Sequence, residues 1–127
     1  MCPRTDMRAE PPPGPEVECP TADGGEEYRS DESRMQGPAP ERVYMPRTTA
    51  QAARAVRCIR DAGRSIVVSG ARTGIAGGAV PGDSCAVLSL ERLTFEPVLR
   101  RTDGEWRVRV GAGTTLEELQ DYLDGGP

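Results

Sequence analysis

Between Gly70 and Gly82 the chain reads Gly-Ala-Arg-Thr-Gly-Ile-Ala-Gly-Gly-Ala-Val-Pro-Gly, with glycines at 70, 74, 77, 78 and 82. A glycine has no Cβ to hold a ligand off, so backbone N–H groups in such a stretch can come within hydrogen-bonding distance of an anion. The run leaves the end of Ser65-Ile66-Val67-Val68-Ser69, whose β-branched core reads as a buried strand. Phosphate binding is the chemistry this offers. A long mobile loop without a ligand is the other reading, and spacing alone leaves both open. The dinucleotide fingerprint G-x-G-x-x-G must open directly into a helix, whereas these glycines run through Pro81 toward a second strand, so a Rossmann turn is excluded.

Few other residues could carry chemistry. The chain has no histidine, which removes the commonest general base and every Ser-His or Cys-His nucleophile pair. All 16 basic residues are arginine, so there is no Schiff-base lysine and no Walker A lysine. Cys2, Cys19, Cys58 and Cys85 are scattered without a C-x-x-C pair, which speaks against a metal site. Cys58 and Cys85 read as small buried hydrophobes on a helix and a strand.

The elements that must position the loop follow from periodicity. Val43-Tyr44-Met45 reads as a short strand ahead of Pro46. Thr48 and Gln51 fit a capping box, predicting a helix from Thr49 to Ala62 with Ala52, Val56 and Ile59 on its buried stripe, flanked by Ala55, and Gly63 as its C-terminal cap. Strand, helix and the 65–69 strand make a βαβ unit. Cys85 to Leu90 reads as a further buried strand and Glu91-Arg92-Leu93 as a single turn. Asp103-Gly104 predicts a type I′ turn joining a Phe95–Leu99 strand, with Pro97 at a sheet edge, to a Trp106–Val110 strand packed by one face. Thr114 and Glu117 repeat the capping-box spacing before a helix lined by Leu116, Leu119, Tyr122 and Leu123.

Composition divides the 127 residues. Residues 1–40 hold eight of the 12 prolines, nine acidic residues against four arginines, and Val17 as their one branched aliphatic. Such a segment cannot bury enough apolar surface to offset its ordering entropy, so a disordered acidic tail is predicted over 1–40, a solvated spacer or a docking segment. Residues 41–127 are close to neutral, which gives no support to a nucleic-acid partner. No apolar run reaches the length of a membrane span and the first residues lack a signal-peptide core, so a cytoplasmic location is expected.

The order Pro46, Thr48-Thr49, an Ala-rich helix, Ile66-Val67-Val68, Gly70 through Ala79, a Val-Leu-Ser-Leu strand, Glu91-Arg92-Leu93, Val110-Gly111-Ala112-Gly113 and a Leu-Glu-Glu-Leu helix resembles the start of the FAD-binding domain of the PCMH type, in the vanillyl-alcohol oxidase superfamily. Within that superfamily the loop resembles that of glycolate oxidase subunits and D-lactate dehydrogenase flavoproteins; the UDP-N-acetylenolpyruvoylglucosamine reductase branch shares the fold. The resemblance implies an α+β architecture, the first α/β subdomain of the FAD domain over 41–127, truncated before the second subdomain and the substrate domain.

It also implies a site. Gly70, Ala71, Arg72, Thr73 and Gly74 would wrap the FAD pyrophosphate, and Ile75, Ala76, Gly77 and Gly78 would follow the cofactor toward the flavin. Ala71 and Arg72 stand where the family has glycines, and a Cβ there is unfavourable if either needs positive φ. Arg72 reads equally as a phosphate partner or an exposed loop arginine. The loop has no histidine or cysteine for a covalent flavin link, so FAD would be bound non-covalently. No residue of this chain is a candidate catalytic group. The expected function is the pyrophosphate half of a flavin-dependent oxidoreductase acting on 2-hydroxy acids or related alcohols. The rival is a non-catalytic truncated module that binds no flavin alone, or works only with its missing half or a partner chain.

Overall fold

Cys85-Ala86-Val87-Leu88-Ser89 is buried along its whole length in the computed structural model, because it is the strand with a parallel neighbour on each side. The structure describes residues 21–22 and 25–125. In chain order the elements are β1 (Thr21–Ala22), β2 (Arg42–Tyr44), α1 (Thr49–Asp61), β3 (Ser65–Ser69), β4 (Cys85–Ser89), β5 (Val98–Thr102), β6 (Glu105–Arg109) and α2 (Leu116–Asp124), with a 3-10 turn at Glu26–Tyr28. One sheet runs β1-β2-β4-β3, with β2 and β3 both parallel to β4 and β1 antiparallel to β2. The predicted βαβ unit is present, but β4 inserts between its two strands. Among the described residues no helix is long and apolar enough to cross a membrane.

α1 forms where its cap and composition dictate. The Thr48 hydroxyl accepts the Gln51 N–H, and the Gln51 side chain turns back to accept from Arg47 rather than from the cap residue itself. At the other end Gly63 takes φ +67, and the Arg64 N–H reaches the Ile59 carbonyl, the six-to-one bond that closes a helix over a left-handed glycine. The face it buries against β3 and β4 is Ala55 and Ile59, while Val56, expected on the stripe, is exposed. Small Ala55 lets the helix approach the sheet, and the buried stripe turns away from Val56.

Three further expectations are corrected. β3 is not covered on both faces: it is an edge strand with Val68 half exposed. The hairpin does not extend the sheet but forms a separate two-stranded ribbon, on which Trp106 is exposed. Its turn is type I′ as predicted, with Asp103 at φ 53 and Gly104 at φ 82. A two-residue turn there forces Thr102 opposite Glu105 and Leu99 opposite Val108, which moves the first strand from Phe95–Leu99 to Val98–Thr102.

The third concerns the expected tail. Residues 1–20 and 23–24 lie outside the described residues, so Cys2 and Cys19 are not placed, but from Gly25 to Pro40 the chain packs on the sheet. Tyr28 is buried against Val43 and Val87, with Met45 and Val67 around them, and its hydroxyl donates to Ser89 Oγ at 3.1 Å. One aromatic ring buries what several aliphatics would, and a reading that weighs branched aliphatics misses it.

Candidate functional site

β3 and β4 are parallel neighbours in register, Ser69 opposite Ser89, so the segments that follow them leave the sheet at the same end. In parallel sheets this carboxyl end is where ligands bind. After β3 comes the glycine loop; after β4 comes a turn in which the Leu93 N–H reaches the Leu90 carbonyl at 2.9 Å. The Leu90 N–H in turn donates to the Ser69 carbonyl at 2.8 Å, which locks the two exits together.

Beside these exits lies a cleft of about 590 Å³. Gly70, Ala71 and Thr73 line one side, and Glu91 with the chain from Ala112 to Leu116 lines the other. The second wall is close because Gly111 and Gly113 let backbone meet backbone. A Cβ on Gly113 would collide with the Leu90 carbonyl and lie 2.8 Å from that of Glu91; one on Gly111 would lie 2.7 Å from Thr94 Cα. The Gly113 N–H donates to the Leu93 carbonyl at 3.0 Å. Sequence reasoning used this Gly-x-Gly for a resemblance and gave it no place in a site; two glycines ahead of a capping threonine were the signal.

The loop itself is rich in unspent donors. Among the described residues, no backbone N–H from Gly70 to Gly78 donates to a protein acceptor. Gly70, Gly74 and Gly78 face open space where a Cβ would stand. Gly70, Ala71 and Thr73 border the cleft, whereas Gly74, Ile75, Ala76, Gly77 and Gly78 run past it, with Ile75 the most exposed large apolar side chain among the described residues.

Arg72 is not the exposed loop arginine that one of its two readings expected. Its backbone does take φ +57, so a side chain stands where a glycine would be more at ease. The guanidinium pairs with Glu91 Oε1 at 2.6 Å and stacks on the Tyr28 ring, 4.8 Å from its centroid. It is therefore held within the protein, and it neutralises one of the two carboxylates on the cleft.

The other carboxylate is Glu118. It closes a capping box with Thr115, accepting the Thr115 N–H at 2.7 Å while the Thr115 hydroxyl accepts the Glu118 N–H at 3.2 Å. Thr114 and Glu117, the expected pair, have the same spacing, but the Thr114 N–H is tied to the Gly111 carbonyl, so the helix begins one residue later. Of the expected stripe, Leu119 and Tyr122 are half-buried and Leu116 and Leu123 exposed.

The Thr115 N–H, and after it the Thr115 hydroxyl, hold the Glu118 carboxyl below the ordinary glutamate range. Its stabilising effect on α2 is then fully present above the ordinary value of 4.5 and is lost as pH falls through the lowered one. An NMR titration of the Glu118 side chain should show this depression, and Thr115→Val, which keeps the N–H and removes the hydroxyl, should return it part of the way toward the ordinary value; an unchanged midpoint in that variant would mean the hydroxyl does not contribute.

A family model described as an FAD binding domain matches residues 40–126. The chain belongs to that family. A comparison with curated proteins yields no significant match. As a member of the FAD-binding family, the chain presents residues that fit an FAD pyrophosphate: free backbone donors and open space over the glycine loop, with Arg72 offsetting Glu91 nearby. The α2 N-terminus is a poorer anion site, since the Glu118 carboxylate takes the Thr115 N–H and hydroxyl and puts a negative charge there.

Proposed function

We propose that this FAD-binding chain holds the cofactor non-covalently, with the pyrophosphate against the backbone of Gly70, Ala71, Arg72, Thr73 and Gly74 and the remainder running along Ile75, Ala76, Gly77 and Gly78. The observation that carries the reading is the row of uncommitted N–H groups at the carboxyl end of β3 in a chain of an FAD-binding family. Bound flavin would supply hydride acceptance, and this chain's share is binding and orientation rather than proton transfer. The resemblance of the loop to glycolate oxidase and D-lactate dehydrogenase flavoproteins directs the substrate assignment to 2-hydroxy acids or related alcohols. A cytoplasmic location belongs to the same reading.

A second reading has one observation in its favour. α2 has no fully buried residue, and Leu116 and Leu123 are exposed. That suits a module that works only with a further polypeptide segment covering α2.

Titrating the purified chain with FAD, following flavin fluorescence and melting temperature together, separates the two. Saturable binding with a rising melting temperature supports a competent loop; at a hundred-fold excess over Kd the stabilisation is about 2.7 kcal/mol. A cooperative melt that FAD leaves unmoved would sink the first reading for the chain alone and favour the second.

A further inference from the structure

The segment 28–37 touches the glycine loop at four places, which neither its composition nor the family match brings out. It is a small hairpin. Gly37 N–H donates to the Arg29 carbonyl at 2.8 Å, the Arg29 Nε donates back to the Gly37 carbonyl at 3.0 Å, Ser30 bridges Gln36, and Arg34 at φ 66 turns the corner. From this hairpin the Glu32 N–H donates to the Arg72 carbonyl at 3.2 Å, while Tyr28 lies under the Arg72 guanidinium. Met35 sits over Gly77, so close that a Cβ there would be 2.7 Å from Met35 Sδ, and Gly77 has φ +76 besides. Gly37 lies against the Pro81 carbonyl.

Asp31 is at the centre. Its Oδ1 accepts the Ser33 N–H at 2.9 Å, its Oδ2 is buried with no hydrogen-bond partner among the described residues, and the Ala79 N–H of the glycine loop lies near the same carboxylate. A buried carboxylate oxygen in that condition is costly unless the loop donor stays close, which ties the hairpin to the far end of the loop.

We propose that residues 28–37 are a brace that holds the Gly70–Gly82 loop in its anion-binding form before any ligand arrives, with Asp31 as the positioning residue. This rests on the flavin reading for its functional consequence but not for its structure. Glycine-rich backbone loses more freedom on ordering than any other, and ordering it in advance removes that cost from binding. The brace contacts Arg72, Gly77, Ala79 and Pro81 and takes no donor from the residues between the first two: Thr73 and Gly74 keep their N–H groups for a ligand.

Amide hydrogen exchange on the whole chain without flavin tests this directly. In Asp31→Ala, the amides bonded at the contact, Glu32 N–H to the Arg72 carbonyl and Val80 N–H to the Gly77 carbonyl, should exchange about ten-fold faster while those of β4 stay as in wild type; Asp31→Asn, which keeps an acceptor for Ser33, should recover part of the protection. Unchanged loop exchange in Asp31→Ala overturns the brace. If that variant also loosens β4, Met35→Ala decides, since it removes only an exposed side chain: faster exchange at Val80, whose N–H is bonded to the Gly77 carbonyl, supports the brace and wild-type exchange overturns it. Where wild type binds FAD, Kd in Asp31→Ala should weaken about five-fold, and an unchanged Kd overturns the link to binding. Wild type that binds no FAD sinks the flavin reading, and the exchange pattern still decides the brace.

Discussion

Gly74→Asp should weaken FAD binding by roughly 30-fold while moving the melting temperature by no more than about 2 °C. The two halves of that expectation have separate grounds. Nothing lies within 4 Å of a Cβ built at Gly74, and its φ is not positive, so a side chain there meets neither a steric nor a conformational barrier. The carboxylate, however, would stand in the loop assigned to the pyrophosphate. Unit charges about 4 Å apart at an effective dielectric near 20 interact by about 4 kcal/mol, and solvent around an exposed loop leaves roughly half of that. Gly74→Asn has nearly the same shape without the charge and should bind close to wild type. Fluorescence titrations of the three proteins at two salt concentrations give the answer: a deficit confined to aspartate and reduced by salt supports the anion cradle, and equal behaviour of Asp and Asn removes it.

How much of this was legible beforehand depended on whether a local pattern or a distant contact decided the outcome. α1, its threonine cap and its Gly63 terminus follow from short-range rules, and the structure keeps them to within a residue. The type I′ turn at Asp103-Gly104 is likewise local, and once it is fixed the register of β5 and β6 follows. The α2 cap was ambiguous because Thr114 and Thr115 each have a glutamate three residues on; a backbone bond from Thr114 to Gly111 broke the tie. Local rules failed where burial is collective. β3 has the composition of a covered strand but lies at an edge, and Tyr28 is drawn into the core from a segment whose proline and acid content reads as tail. For the site, the glycine loop announced itself, whereas Glu91, Gly113 and Glu118 come to it through a fold that no spacing within the loop encodes.

Gly113→Ala should lower the melting temperature by about 10–15 °C and abolish measurable flavin binding. A methyl group at that position collides with the Leu90 carbonyl and with the Glu91 backbone, and backbone atoms cannot swing aside as a side-chain tip can. Overpacking of this kind costs about 1–3 kcal/mol, and each kcal/mol is worth about 4–8 °C in a unit of this size. The fold has little else with which to hold α2: the helix has no fully buried residue, and the Gly113 N–H bond to the Leu93 carbonyl joins its approach to the β4 exit. Relief of the collision must therefore move either the turn before α2 or the turn after β4, and both are walls of the cleft that Gly70 and Ala71 share. Gly70→Ala is the control, because a Cβ there meets open space, and its melt should match wild type within about 2 °C. A Gly113→Ala melt as high as that control would mean that the α2 approach does not pack on the β4 exit, and the cleft would lose the wall that separates a bound pyrophosphate from solvent.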